Sequence, residues 1–386
     1  MSISENLPPS LEDDVVDLSR VGNFVVVAAI TAELERDSEI TGNPFDVSMG
    51  KLWDLKNKTA IDFINKIEEK FRRKNKFHGF FASPTINTTP ISLRQYVEAE
   101  SIEFEQVANS LMQSLKFASN SAERRNLAGG NVVFVHYKGT TDSDDYGKLL
   151  VVMVAKKSGF DFDANMQPKK LSPIDTDALL QAASFDLNLF TSTYPLNDGE
   201  TYLHFIEGNS KSVFFKQALG CDDAIPNKKS VENLFDAVKA FVAECKIPRG
   251  QREVIIQKVV DHLKDRASNK RPTGLDEIQN VIDKELPVSH ERKGEFCKFV
   301  NEGGYEINTT FEPTAPLASK GELVDVSDAS KNFTCKIKLS SLGYKGSDKP
   351  VLIDDDLRYI RIPLDAAARE SILSNIGKND DVDKIK

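Results

Sequence analysis

Two apolar runs in the middle of the chain give the clearest signal in its hydrophobic pattern. Residues 129–137 open with Gly-Gly and continue through β-branched residues, and residues 148–155 are almost wholly apolar, with a Gly- and Asp-rich tip between them. Such runs around a turn predict a buried antiparallel pair of strands. A third run at 201–206 is predicted to join the same sheet, and the run at 23–30 to form a strand covered on both faces.

Helical spacing first appears after Thr59. Apolar residues recur on one face up to residues 74–76, where the helix is predicted to end, and Thr59 with Asp62 resembles a capping box. Similar spacing predicts a second helix over 98–118 and a short one over 175–183.

The remaining local patterns concern one loop and the carboxyl-terminal part. The Gly, Pro and Asn content of residues 39–51 predicts a loop. Residues 305–311, 333–339 and 357–362 have the pattern of strands, and residues 364–376 that of a final helix.

These patterns predict an α+β protein whose composition changes twice along the chain. The sheet is expected to be mixed and mostly antiparallel, with covering helices. The predicted parts are a flexible amino terminus at 1–19, an α+β sheet domain at 20–207, a helical segment at 208–302, a smaller strand-rich domain at 303–376 and a charged tail at 377–386.

Composition bounds the class of protein. The chain has 386 residues, 40% of them hydrophobic, and a formal net charge of −9. It is therefore long enough for sizeable cores, and its overall charge gives no attraction to nucleic acid or to anionic lipid. Any phosphate contact must come from a local basic patch.

Cysteine usage and the amino terminus bear on the cellular compartment. Cys221, Cys245, Cys297 and Cys335 are far apart and form no C-x-x-C pair, which argues against a disulfide framework and against a zinc site. No signal peptide and no apolar run of membrane-spanning length is present. The expectation is a cytoplasmic protein with reduced cysteines and no membrane contact.

Five stretches carry a resemblance to a known family. They are residues 74–81 (Lys-Asn-Lys-Phe-His-Gly-Phe-Phe), the Gly129-Gly130 strand ending at His136-Tyr137, residues 149–155, residues 205–208 followed by 214–220, and residues 304–311. In this order the chain resembles the NdpA-type nucleoid-associated proteins of bacteria, over roughly residues 20–375.

The resemblance implies a DNA-associated, non-enzymatic protein of the bacterial nucleoid, with no catalytic motif to carry over. Two departures from the family are the acidic hairpin tip at 142–145 and an extra loop at 320–331. Either feature could mark a specialised member, for example one that serves in antiviral defence.

Two groups of cations are the candidates for contact with DNA phosphates, which proteins neutralise with Lys and Arg. The first lies at the end of the helix that follows Thr59, where the simpler explanation is that cations complement the helix dipole. Its members are Lys70, Arg72, Arg73, Lys74 and Lys76.

The second group lies in the helical segment, where a helix start after Gly208 could hold a phosphate or could be capped by Ser210 or Ser212. Between residues 209 and 302 there are 17 Lys and Arg against 15 Asp and Glu, the least acidic third of the chain. The candidates are Lys211, Lys216, Lys228, Lys229, Arg249, Arg252 and Lys258.

Acids and histidines could support a different reading, a metal-dependent nuclease. The acids are Asp142, Asp144, Asp145, Asp161, Asp163 and residues 354–356, although Asp is also common in turns. His136 and His204 could face each other from two strands, but a satisfied core histidine is the simpler explanation. No hydrolase, P-loop, metalloprotease or dinucleotide motif is present. We therefore expect no catalytic residue, no bound metal and no cofactor.

The resulting hypothesis is a sequence-tolerant binder of double-stranded DNA that forms a homodimer. The alternative is a protein–protein interaction component, for example of a phage-defence system, which docks a partner through its helical segment. The metal-dependent nuclease is the third possibility.

Overall fold

The computed structural model describes residues 20–21, 24–37, 39–40, 42–82, 87–121, 129–139, 146–156, 159–162, 168–171, 174–207, 214–221, 227–328, 330, 332–354 and 356–376. The chain divides into two compact units. The first comprises Met1–Asn233, Gly274–Asp276 and Glu295–Phe311, and the second comprises Leu234–Thr273, Glu277–Gly294 and Glu312–Lys386. The predicted helical segment at 208–302 is thus shared between the two units.

An eight-stranded antiparallel sheet organises the first unit. The strands up to residue 207 are β1 (Arg20–Val21), β2 (Phe24–Arg36), β3 (Phe45–Leu52), β4 (Phe77–Gly79), β5 (Gly130–Gly139), β6 (Lys148–Lys156), β7 (Gly159–Phe162), β8 (Pro168–Leu171), β9 (Ile174–Asp186) and β10 (Leu203–Glu207). The sheet order is β1-β2-β5-β6-β9-β10-β4, with β3 also paired to β2. Strands β7 and β8 form a separate antiparallel ribbon.

The central strands agree with the sequence prediction in one respect and correct it in another. Strands β5 and β6 pair antiparallel, with Val133 opposite Val152, as predicted. Strand β10 joins the same sheet, as expected, but β9 lies between it and β6. The helix predicted over 175–183 is therefore wrong. Ladder pairing with β6 along this segment, and with β10 from Gln181 onward, outweighs the helix propensity of its Ala and Leu residues.

Alternating side chains of the central strands build a core on each face of the sheet. In β5, Phe134 points into one core, and its neighbour Val133 points into the other. The same alternation places Leu149 and Leu150 of β6 in opposite cores. Both cores are shielded by helices, which explains why these strands are apolar at consecutive positions.

The helices described up to residue 221 are α1 (Lys58–Arg73), α2 (Thr89–Val97), α3 (Phe104–Ser119), α4 (Leu187–Thr193) and α5 (Phe214–Ala218). Helix α1 covers one face of the sheet, where Ile64 and Ile67 are fully buried. Helices α2 and α3 contribute to the core on the opposite face, for example through Leu93 and Leu111.

Helix starts and one strand differ from the sequence prediction. Asn57, rather than Thr59, caps α1, since its Oδ1 accepts a hydrogen bond from the Thr59 backbone N–H at 2.9 Å. The helix predicted to start at residue 98 begins only at Phe104, after Glu100 adopts a left-handed conformation with φ of 46°. The loop predicted over 39–51 contains β3, which pairs with the long strand β2.

The rest of the chain contains longer helices and short strands. Its elements are α6 (Asn227–Glu244), α7 (Arg249–Ser268), β11 (Thr273–Gly274), α8 (Leu275–Glu285), α9 (Phe296–Glu302), β12 (Thr310–Phe311), α10 (Ala315–Lys320), β13 (Leu323–Ser327), β14 (Thr334–Lys338), β15 (Leu342–Tyr344), β16 (Val351–Ile353), β17 (Ile360–Arg361) and α11 (Ala366–Ile376). None of the described helices has the length and apolarity that crossing a membrane requires.

The second unit has a helical core and two small sheets. Val238 and Phe241 of α6 are fully buried, as is Val259 of α7. Strand β13 pairs with β14, and β15, β16 and β17 form a three-stranded sheet. The chain is therefore α+β with a strand-rich carboxyl-terminal part, as predicted. The strands expected at 305–311 and 357–362 shrink to two residues each.

The two-sided sheet predicts a sharp contrast between two phenylalanines. Phe134 is fully buried in β5, whereas the side chain of Phe117 in α3 is 84% exposed. We expect Phe134→Ala to lower the free energy of unfolding by about 3–5 kcal/mol, because it leaves a cavity in the core. Phe117→Ala, the matched control, should change it by less than about 0.5 kcal/mol. Urea denaturation followed by circular dichroism measures both, and equal effects would contradict the assignment of the core.

Candidate nucleic-acid interface

The carboxyl end of α1 carries most of the first predicted basic group. Its last turn contains Lys70, Arg72 and Arg73, and the chain leaves the helix in an extended conformation at Lys74. Because the apolar stripe of α1 is buried against the sheet, the polar side of this turn faces solvent. Arg72 and Arg73 are about half exposed, with side-chain exposures of 48% and 49%. Lys74 is exposed and Lys70 is partly buried.

Acidic side chains lie next to both arginines. Glu302, at the end of α9, places Oε1 at 3.6 Å from Arg72 Nη1 and at 3.4 Å from Arg73 Nε. Within α1, Arg72 lies 3.8 Å from Glu68, and Arg73 lies 2.8 Å from Glu69. Solvent-exposed pairs of this kind contribute about 0–1 kcal/mol each. The arginines can therefore exchange these partners for a phosphate at small cost.

Lys76 differs from the rest of its predicted group because it is buried. Its Nζ donates hydrogen bonds to the backbone carbonyls of Arg72 and Lys74, each at 2.8 Å. These contacts satisfy carbonyls at the helix end that have no partner within the helix. Burial lowers the pKa of Lys76 to about 7, because the ammonium loses hydration, although nearby Glu68 opposes this shift. Lys76 therefore caps α1 instead of facing solvent.

Asparagine contacts hold α9 beside this helix end. The Asn301 side-chain amide donates to Asn75 Oδ1 at 2.9 Å and to the Cys297 carbonyl at 2.7 Å. Asn75 in turn donates to Asp276 Oδ1 at 3.1 Å. This network positions Glu302, one residue beyond Asn301, against the two arginines.

The second predicted group does not form a comparable surface in the first unit. Lys211 lies outside the described residues. Lys216 is buried, with its ammonium 4.9 Å from the centre of the Phe77 ring. Lys228 is exposed, whereas Lys229 forms an ion pair of 2.6 Å with Glu306.

The remaining candidates lie on α7 in the second unit. Arg249 pairs with Glu253 at 2.8 Å and donates to the Leu342 carbonyl at 2.8 Å. Arg252 is partly buried and Lys258 is exposed. Nine residues separate Arg249 from Lys258, which is two and a half helical turns, so these two side chains leave α7 on opposite sides.

Of the acidic residues considered for a nuclease, the structure describes the side chains of Asp354 and Asp356 alone. Asp142, Asp144, Asp145, Asp163 and Asp355 lie outside the described residues, as does the side chain of Asp161. Asp354 Oδ1 accepts hydrogen bonds from the backbone N–H groups of Arg358 and Tyr359 at 2.8 and 2.9 Å. That arrangement is the turn-stabilising role typical of Asp.

The two histidines considered in the sequence, His136 and His204, have different surroundings. His136 lies in the core, 2.7 Å from the Tyr96 hydroxyl and 2.8 Å from the Tyr146 carbonyl. It is therefore a satisfied core histidine, the simpler of the two explanations. The other possibility, that His136 and His204 face each other, is not what the structure shows, since His204 faces His78 across the pairing of β10 with β4.

Comparison with known proteins places the fold in a family. The profile of the family described as "Nucleoid-associated protein YejK" matches residues 44–379. The chain belongs to this family. The resemblance to nucleoid-associated proteins seen in the sequence is thereby confirmed.

Individual relatives of the YejK family are distant in sequence. A nucleoid-associated protein of Pseudomonas putida is 26% identical over 56% of this chain and 62% of its own length. Nucleoid-associated protein YejK of Shigella boydii is 23% identical over 66% of this chain and 71% of its own length. A Pseudomonas fluorescens relative is 25% identical over 61% and 69%. The aligned part thus spans less than two thirds of the P. putida protein.

Glu302 and the asparagine network are parts of this site that sequence reasoning missed. Arg73 and Glu302 are more than two hundred positions apart in the chain. No helical or strand spacing links residues that far apart, so only the packing of α9 on α1 reveals the pair. Lys76, by contrast, follows the exposed cations directly in the sequence, so sequence position alone predicts that it is exposed as well.

The burial of Lys76 predicts a pH dependence of stability. Its folded-state pKa of about 7 lies below the ordinary 10.5, so the unfolded chain binds more protons between about pH 7 and 10.5. The stability that this residue contributes therefore rises as pH increases through that window. We expect the stability difference between wild type and Lys76→Met to grow in favour of wild type from pH 6.5 to pH 9.5, as measured by urea denaturation. A difference that is independent of pH would contradict the buried position.

Proposed function

We propose that the chain binds double-stranded DNA through its phosphate backbone, with little sequence preference and without catalysis. Membership of the YejK family supports association with the nucleoid. Local charge is the observation that supports the end of α1 as the DNA-contact surface. Residues 51–76 contain nine Lys and Arg against four Asp and Glu, a net +5 in a chain whose total is −9.

The proposed contact surface, here named the α1 basic surface, is the solvent side of the last two turns of α1 and the residue that follows. Lys66, Lys70 and Arg73 are spaced by four and three residues, so they share one face of the helix. The three positions span about 10 Å along the helix axis. Its members are Lys66, Lys70, Arg72, Arg73 and Lys74.

The acidic composition of the whole chain does not prevent such binding. At physiological ionic strength, charges farther apart than about 8 Å are largely screened in water. Cations within reach of a phosphate therefore outweigh remote carboxylates. Two nearby acids, Glu69 and Glu302, reduce the affinity of the surface for DNA. Substituting either acid should therefore raise that affinity.

A homodimer forms part of the proposal. A single patch with neighbouring acids gives weak binding, whereas two patches on one assembly convert the second contact into an intramolecular event. Avidity of this kind compensates for an unfavourable overall charge.

A protein-interaction role is the second candidate, and one observation favours it. Several large apolar side chains near the carboxyl end of the second unit are exposed in the described structure. They are Leu357, Tyr359, Ile360, Ile362 and Leu364. In that case a protein partner would carry any association with DNA.

Removing the two arginines is predicted to weaken DNA binding in a salt-dependent manner. In wild type, affinity for a random duplex should fall by orders of magnitude between roughly 50 and 200 mM salt. Arg72→Ala combined with Arg73→Ala should reduce the slope of log affinity against log salt by about 1.8, since each lost phosphate contact removes about 0.9. Fluorescence anisotropy with a labelled duplex measures this slope.

Arg358→Ala combined with Arg361→Ala is the matched control. It removes the same charge from two exposed arginines of the second unit, so we expect the salt slope to stay at the wild-type value. Equal losses in the two double variants would show that only net charge matters. A wild-type curve that is flat with salt, or that requires an added protein, would favour the protein-interaction role.

Removing the shared acid is predicted to have the opposite effect. Glu302 forms ion pairs with both Arg72 and Arg73, so Glu302→Gln should remove one acidic partner from each guanidinium group. We expect duplex affinity at about 50 mM salt to rise several-fold, in keeping with the loss of two weak surface pairs. Glu295→Gln, at a partly exposed acid that pairs with Lys298, provides a control with the same change in net charge. If Glu302→Gln raises affinity no more than Glu295→Gln does, the arginines are not the contact residues.

A further inference from the structure

Two histidines face each other where the central sheet ends. Strand β4 pairs only with β10 in the described sheet, and the register sets His78 directly opposite His204. Their ring centroids are 4.9 Å apart, with an interplanar angle of 66°. The pair lies at the edge of the described sheet, because His78 belongs to β4, an edge strand only three residues long.

The imidazole nitrogens of this pair have unsatisfied hydrogen-bonding capacity. His78 is 9% exposed, and neither Nδ1 nor Nε2 has a hydrogen-bond partner among the described residues. The Nε2 of His204 is likewise shielded from solvent and has no hydrogen-bond partner among the described residues. A buried polar atom without a hydrogen-bond partner destabilises the folded protein. Three such atoms in one place therefore point to a ligand.

A carboxylate completes the group. One ligand atom from each of His78, His204 and Glu306 lies within 4.8 Å of the other two. Thr201 holds Glu306 in place, since Glu306 Oε1 accepts hydrogen bonds from Thr201 Oγ1 at 2.7 Å and from the Thr201 N–H at 3.2 Å. Asn308, two residues further on, accepts from the His78 N–H at 2.9 Å. The segment that carries Glu306 is thus joined to β4 and to Thr201, two residues before β10.

We propose that His78, His204 and Glu306 form a binding site for a divalent transition metal ion of the zinc type. Two imidazoles and one carboxylate are an established zinc ligand set, and they leave a fourth position for water. Zinc ligands at about 2.0–2.2 Å from the metal lie roughly 3.3 Å from one another in a tetrahedron. The three ligand atoms would approach one another by small side-chain rotations. The proposal does not rest on DNA binding.

The protonation states suit a metal ligand. Burial lowers the pKa of His78 to about 3, and burial also lowers the pKa of His204 well below its usual range, because each imidazolium would lose its hydration. A metal binds the neutral form of an imidazole, and burial favours that form at both positions.

A lysine competes with the metal for the carboxylate. The Lys229 ammonium lies 2.6 Å from Glu306 Oε2, the oxygen that Thr201 does not hold. The Lys229 side chain is 35% exposed, so it can turn toward solvent when a metal takes its place. The positive charges of Lys229 and buried Lys76 act on His78, so they would repel a metal ion bound there. Removing Lys229 should therefore tighten metal binding, which a purely structural histidine pair does not predict.

Metal titration of the full-length chain tests the proposal. After treatment with a chelator and removal of that chelator, we expect wild type to bind one equivalent of Zn²⁺ per chain by calorimetry, and Co²⁺ with the visible absorption of a tetrahedral complex. Binding should raise the thermal midpoint, since the ion binds the folded state only. His78→Gln and His204→Gln should lose stoichiometric binding. Lys229→Gln should bind about tenfold more tightly, because a unit positive charge near the ion is removed.

His290→Gln is the matched control, because His290 lies elsewhere in the chain, with its Nε2 2.9 Å from the Cys245 carbonyl. It should bind Zn²⁺ as wild type does. The absence of stoichiometric binding to wild type would overturn the proposal, as would unchanged binding in both His78→Gln and His204→Gln. If those two variants fail to fold by circular dichroism, Lys229→Gln decides: unchanged or weaker binding than wild type rejects the site.

Discussion

The burial of a central antiparallel sheet on both faces is the constraint on which the first unit depends. Strands β5 and β6 are apolar at consecutive positions because alternate side chains enter two different cores. A sheet of this kind is stable only when helices cover each face. Helix α1 covers one face, and α2 and α3 cover the other. The position of the cations on α1 follows from this arrangement.

The α1 basic surface is a direct consequence of that packing. Ile64 and Ile67 are drawn into the core, so the cations of the same helix must face solvent. Lys76 shows the limit of this rule, since the chain turns back into the sheet at β4 and carries that lysine inside. One helix end thus combines exposed cations, a buried ammonium that caps its carbonyls, and an acid from α9. The proposed DNA contact and the proposed metal site lie on either side of this turn.

Local sequence patterns predicted the elements that depend on local features. The β5–β6 pair, the extent of α1 and the final helix follow from periodicity and turn residues. The helix prediction for residues 175–183 is wrong because the alanines and leucines there favour a helix locally, whereas unpaired backbone groups of β6 and β10 favour a strand. Information of that kind lies outside any local window.

The candidate sites were predictable to a smaller extent. The clustering of charge in the sequence predicts that Arg72, Arg73 and Lys74 are exposed, and the structure places them so. The partner of the two arginines, Glu302, and the facing of His78 and His204 depend on contacts between distant segments. Residues such as Lys216 were assigned to the surface because no sequence signal distinguishes a lysine packed on an aromatic ring from a solvated one.

Lysine footprinting tests the central claim, that the end of α1 contacts DNA, most directly. The full-length chain is acetylated briefly at low salt with and without a random duplex, and modification at each lysine is read by mass spectrometry. The account predicts that DNA slows modification of Lys66 and Lys74, while exposed Lys258 on α7 reacts as in the free protein. Unchanged rates at Lys66 and Lys74, with protection at Lys228 or Lys258 instead, would contradict it.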